Sequence, residues 1–164
     1  MDVARIRRRA RVGRRRPARH AGGGRPLIYL DSCAILKLLV PDDESTALRT
    51  FLSSHGSEGH ATSALAQVEV PRALIRVGAP QELLDASVDL FDRLLRVRLS
   101  DPVLRAACQF PTRHLRTLDA IHLATAEHLE HALTAFVTYD KRLADAAEER
   151  DLPVVAPGRP TGSR

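Results

Sequence analysis

Tryptophan is absent from this chain, methionine occurs once, and there are two tyrosines and four phenylalanines. A core so poor in aromatic residues must be assembled from Leu, Val, Ala and Ile. No apolar stretch approaches the roughly 20 residues that span a bilayer, so the expectation is a soluble, cytoplasmic protein with no membrane partner. The two cysteines, Cys33 and Cys108, form neither a metal-type pair nor a disulfide framework, and are expected as reduced, mostly buried thiols. The seven histidines contain no HExxH arrangement. His128 and His131 lie beside Glu127 and Glu130 and read as solvated surface, which argues against zinc. Residues 26–164 hold no glycine-rich phosphate loop, and Asp31-Ser32-Cys33 lacks the second acid that a phosphatase of the aspartyl type wants two residues on.

What is present fits one domain of 164 residues. The net charge of +5 is unevenly spread, because residues 1–25 carry ten arginines against the single Asp2, which leaves residues 26–164 at −4. The basic field therefore belongs to the arm and not to the folded part. The arm reads as disordered, since it is Arg-rich, nearly free of large apolar residues, and ends in Ala21-Gly22-Gly23-Gly24. Two readings of it stay open, a phosphate-gripping extension or a start site placed too far upstream, with the second favoured. The expected boundaries are an arm over 1–25, the domain over 26–157 and a flexible tail over 158–164.

Short apolar runs at 27–30, 60–62, 97–99, 134–138 and 153–156 read as strands. Helical patterns occupy about 32–39, 43–54, 63–77, 80–96, 101–108, 117–131 and 141–150. This alternation predicts an α/β fold, with a mainly parallel sheet between helical layers. Pro71 falls inside the third helical pattern and predicts a kink or break there.

Four acids stand among apolar residues. Asp31 closes Leu27-Ile28-Tyr29-Leu30, and Asp140 closes Phe136-Val137-Thr138-Tyr139. Glu69 and Asp119 lie inside apolar helical segments. Taken singly, each aspartate is explained by helix capping, and Glu69 by an ion pair with Arg72 three residues on. Taken together they are not so easily explained. Open parallel sheets place their sites at the carboxyl ends of strands, where Asp31 and Asp140 both fall. Two carboxylates about 4 Å apart repel by roughly 4 kcal/mol at an effective dielectric near 20. Capping bonds contribute about 1 kcal/mol each and cannot hold such a cluster ionised. Hard oxygen donors without thiol or imidazole select Mg²⁺, with Mn²⁺ as a substitute.

The segments Leu30-Asp31-Ser32-Cys33-Ala34, Val68-Glu69-Val70-Pro71-Arg72-Ala73-Leu74, Leu118-Asp119-Ala120-Ile121-His122-Leu123-Ala124 and Val137-Thr138-Tyr139-Asp140-Lys141-Arg142-Leu143 resemble PIN-domain ribonucleases of the VapC toxin type. The resemblance spans roughly residues 26–157, and the last two segments are its most specific part. It implies a three-layer α/β/α sandwich and a Mg²⁺-dependent endoribonuclease that leaves a 5′-phosphate and a 3′-hydroxyl. Asp31, Glu69, Asp119 and Asp140 become the implied metal and catalytic residues. Ser32, Thr138, Arg72 and Arg116 become supporting residues, and Arg76, Arg113 and Arg142 further rim cations for RNA. The family usually has Thr-Ser after its first acid, whereas here Ser32 keeps the hydroxyl and Cys33 loses a polar group. His122 reads as a satisfied helix-face histidine. The resemblance also implies a cognate antitoxin and a homodimer; residues 83–95 and 47–52 are interface candidates, with core packing as the default. The alternative is a degenerate PIN module that binds RNA or a protein without cutting.

Overall fold

A computed structural model describes residues 25–159. Residues 1–24 of the expected arm and 160–164 of the expected tail lie outside the described residues. The element order is β1 (Leu27–Leu30), α1 (Ser32–Leu39), α2 (Ser45–Ser54), β2 (Gly59–Ser63), α3 (Ala66–Arg76), α4 (Gln81–Phe91), β3 (Leu95–Val97), α5 (Asp101–Ala107), α6 (Thr117–Glu127), β4 (Leu133–Val137), α7 (Lys141–Glu148) and β5 (Val154–Val155). All four strand pairings are parallel, in the order β3-β2-β1-β4-β5. The strands expected at 27–30 and 134–138 therefore lie side by side at the centre of the sheet.

Alternation along the central strands supplies both faces. Ile28 and Leu30 pack with Ala34, Ile35, Leu48, Val70 and Leu74 under α1 to α4. Tyr29 and Phe136 pack with Leu123, Ala126, Leu143 and Ala147 under α6 and α7. Each large aliphatic side chain buried here contributes about 1.5–3 kcal/mol. The result is the expected α/β/α sandwich with a parallel sheet. Among the described residues no helix is long and apolar enough to cross a membrane.

Several local expectations need correction. Pro71 does not break α3, which runs through it from Ala66 to Arg76. Proline removes one backbone donor, and Val70 and Leu74, both fully buried, anchor the helix on either side of the gap. The third strand is Leu95–Val97, two residues before the expected 97–99, and α4 stops at Phe91 instead of 96. The helix expected to reach 131 ends at Glu127, and a short 3-10 turn follows at Glu130–Ala132, with Glu130 at φ 48°. Cys33 and Cys108 are free but exposed, not buried.

The fold also continues past the boundary expected at 157. Gly158 turns with φ 89°. Arg159 then donates to the Tyr139 carbonyl at 2.6 Å and to Glu44 at 3.2 Å. Two cations face the Tyr139 ring, Lys37 at 4.6 Å and the Arg159 guanidinium at 5.3 Å.

Candidate active site

In the order β3-β2-β1-β4-β5, successive connections reverse direction between β1 and β4. The helices that follow these two strands depart on opposite sides there, opening a crevice at the carboxyl end of the sheet. Asp31 follows β1 and Asp140 lies three residues beyond β4, so both stand at this crevice. Glu69 and Asp119 each sit in the first turn of a helix, α3 and α6.

Asp31 is 2% exposed. Its Oδ1 accepts from the Ala34 amide at 2.7 Å and caps α1, while Oδ2 accepts from the Thr138 hydroxyl at 2.5 Å. Burial nevertheless pushes its carboxyl above the ordinary range; hydrogen bonds from Thr138 and Ala34 and the proximity of His122 oppose this, and the Asp140 charge adds to it. Asp140 caps α7 through Oδ1, which accepts from the Arg142 and Leu143 amides at 2.8 and 3.2 Å. Burial raises Asp140 too, but those two amides and the Arg142 guanidinium prevail and hold it below its usual value. Capping is thus real at both positions, and each cap uses a single oxygen.

Glu69 has no capping duty. Its Oε2 accepts from the Ser32 hydroxyl and from His122 Nε2, the latter at 2.7 Å. Burial raises Glu69, and the bonds from His122 and Ser32 more than reverse this, leaving it below its ordinary value. The anticipated ion pair with Arg72 is absent; Arg72 is exposed and reaches none of the four acids. Asp119 is the least satisfied of the set. Its Oδ2 is buried without a hydrogen-bond partner. Burial and then the Asp140 charge raise it, against a backbone hydrogen bond from Arg116 and the charges of Arg142 and Arg116. Arg142 pairs with Asp140 at 3.6 Å.

The four acids share one electrostatic neighbourhood. Burial pushes the Cys33 thiol up to about 12, and Asp31, Asp140, Glu69 and Asp119 all add to the shift. Among the described residues, however, no three His, Cys, Asp or Glu side chains are gathered closely enough to hold an ion as they stand. The partnerless Asp119 oxygen and the all-oxygen donor set suit a hard cation, provided that side chains close around it.

Known proteins resemble this chain over most of its length. The PIN domain family model matches residues 28–149. Ribonuclease VapC47 of Mycobacterium tuberculosis (strain CDC 1551 / Oshkosh) is 41% identical over 134 residues, covering 80% of this chain and 98% of the relative. The chain is a PIN domain of the VapC ribonuclease family. Ribonuclease VapC35 of Mycobacterium tuberculosis (strain ATCC 25618 / H37Rv) is 44% identical over 135 residues, 81% of this chain and 98% of the relative. Among solved structures, Mycobacterium tuberculosis VapC20, a Sarcin-Ricin loop cleaving toxin, superimposes with a TM-score of 0.59 at 16% identity, covering 73% of this chain and 94% of that one. That likeness bears on the fold alone.

Within this PIN domain the sequence undervalued one residue. His122 is indeed a satisfied histidine, buried to 3% exposure, but its partners include site residues: Glu69, and Ser32 at 3.2 Å. Its position on the acid-bearing face, three residues after Asp119, was the available signal.

Proposed function

We propose that this PIN domain is a Mg²⁺-dependent endoribonuclease and the toxin of a type II toxin–antitoxin pair. The observation that carries the reading is Asp119 Oδ2, buried and partnerless among acids whose charges all reach Cys33. Asp31, Glu69, Asp119 and Asp140 would hold the cation, with Mn²⁺ as a substitute. Bound there, it would supply Lewis-acid activation and neutralise charge developing on the scissile phosphate. Membership of the VapC ribonuclease family supports RNA as substrate and a cognate antitoxin as inhibitor; the cleavage would leave a 5′-phosphate.

The protein's own groups divide the remaining work. Thr138 orients Asp31, and Ser32 holds Glu69. Arg116 and Arg142 lie near enough to Asp119 for their charges to oppose the rise of its carboxyl, and in that position they can meet the phosphates of a bound strand. Arg72 and Arg113 are both exposed and would be free to meet further phosphates. The protein acts in the cytoplasm, as a homodimer.

Incubating the protein with defined RNAs, with Mg²⁺ or with chelator, and mapping the ends tests this reading. Cleavage is expected only with the cation, and Asp119→Asn is expected to abolish it while circular dichroism stays native. Full activity of that variant, with contaminating nuclease excluded, would overturn the assignment. The loose gathering of the acids favours one alternative, a module that binds RNA without cutting it. That alternative predicts retained RNA binding with no cleavage at any Mg²⁺ or Mn²⁺ concentration.

A further inference from the structure

Glu69 offers its two oxygens very differently. Oε2 takes hydrogen bonds from Ser32 and His122, and Oε1 takes none. Behind His122 stands a second buried group. The Tyr29 hydroxyl meets Nδ1 at 2.7 Å, and the two rings stand edge to face at 5.9 Å. The Tyr29 ring is itself stacked on Phe136 at 5.3 Å and is fully buried, so neither ring has room to turn.

One proton arrangement satisfies every atom of this chain. The Tyr29 hydroxyl donates to His122 Nδ1. That leaves Nε2 carrying the hydrogen, which it donates to Glu69 Oε2. The other tautomer would set the Nε2 lone pair against carboxylate lone pairs at 2.7 Å, a repulsive contact.

We propose that His122, backed by Tyr29, is a positioning residue that fixes Glu69 with Oε1 as the one oxygen it presents to the cation. The inference rests on the four-acid site proposed above. A free glutamate rotates about three side-chain bonds and loses that freedom when it binds an ion. Here the buried pair has already restricted it, and a ligand oriented in advance binds more tightly. Groups that orient a metal ligand in this way typically affect affinity by about 10–100-fold.

The test uses the full chain with Mn²⁺ as probe, reading free Mn²⁺ by electron paramagnetic resonance. Tyr29→Phe removes only the hydroxyl, and His122→Leu removes the donor to Glu69. His122→Gln keeps an N–H near the Nε2 position. Tyr29→Phe and His122→Leu should raise the Mn²⁺ Kd about 10-fold, with His122→Gln closer to wild type than His122→Leu. RNA cleavage by Tyr29→Phe should recover as Mn²⁺ is raised to saturation, which a merely structural tyrosine would not produce. Glu69→Gln and Asp119→Asn serve as controls for the site. If both controls weaken Mn²⁺ binding and Tyr29→Phe leaves it unchanged, the positioning role is overturned and the site stands. If neither control changes it, the site reading fails and this inference fails with it. Should His122→Leu not fold, Tyr29→Phe alone decides.

Discussion

Thr138 and Asp31, 107 residues apart in sequence, are joined by a 2.5 Å hydrogen bond from the threonine hydroxyl to the aspartate Oδ2. The same hydroxyl accepts from the Asp140 amide at 3.1 Å. One 1%-exposed side chain therefore links the acid after β1 to the acid after β4, across the crevice where the sheet reverses. Thr138→Val keeps the shape and removes both bonds. Leaving a buried acceptor unmatched typically costs about 1–3 kcal/mol. Chemical denaturation in chelator should show a loss of that size, and an unchanged midpoint would show that the link carries no stability.

The pH dependence of the metal-free protein follows from opposed shifts among the four acids. Asp31 and Asp119 have folded values raised above their ordinary 3.8. For such groups the folded state holds the proton more tightly, so their favourable contribution is present at low pH. It is lost as pH rises from 3.8 through the higher folded values. Glu69 and Asp140 are lowered, so their contribution is present above the ordinary values and is lost as pH falls through the folded ones. In chelator, Asp119→Asn should therefore match or exceed wild type in thermal midpoint near neutrality, with the advantage shrinking toward pH 3.8. Mg²⁺ should then raise the midpoint of wild type and not of the variant, because a ligand stabilises only the state that binds it. A variant clearly less stable than wild type in chelator would indicate a structural role for Asp119.

Arg159 supplies a third test, of the fold beyond the boundary drawn from sequence. Its guanidinium bonds the Tyr139 carbonyl and Glu44 while lying over the Tyr139 ring. The side chain is 44% exposed, so solvent screens the Glu44 pair and its contribution is small. The carbonyl bond and the ring contact remain, together worth about 1–2 kcal/mol. Arg159→Ala should lower stability by that amount. Arg159→Lys should recover only part of it, since an ammonium cannot reproduce the planar fork. Equal stability of the alanine variant would mean that the segment is not fastened.

The pattern of what sequence could reveal follows the physics of each position. Asp31 and Asp140 were legible because a charge closing a buried apolar strand is conspicuous, and parallel sheets place such strand ends together. The third strand is not legible because Leu95–Val97 lies on a sheet edge with two of its three residues exposed, so no apolar run marks it. The end of helix α4 is masked in the sequence because the core cluster continues beyond it, through Leu94. The role of His122 was obscured for a different reason. Its meaning lies in Tyr29 and Glu69, 93 and 53 residues away, and a contact at that separation leaves no trace in local periodicity. The clasp at Arg159 was missed similarly, since a Gly-Arg pair near the chain end has the composition of a loose tail.

Cys33 offers a direct reporter of whether the four acids act on one point. The residue is exposed, yet its thiol is pushed up to about 12, first by burial and then by all four carboxylates. Solvent access weakens the first of these contributions and leaves the four charges. Because the thiolate is the nucleophile, Cys33 should alkylate much more slowly with iodoacetamide than a thiol at the ordinary 9.0. A cation bound among the carboxylates neutralises the charges that suppress the thiolate. Mg²⁺ should therefore accelerate modification of Cys33 in wild type and have a smaller effect in Asp119→Asn, as followed by peptide mass spectrometry that separates Cys33 from Cys108. If Mg²⁺ leaves the rate at Cys33 unchanged while the thermal midpoint rises, the ion binds elsewhere and the four acids do not share it.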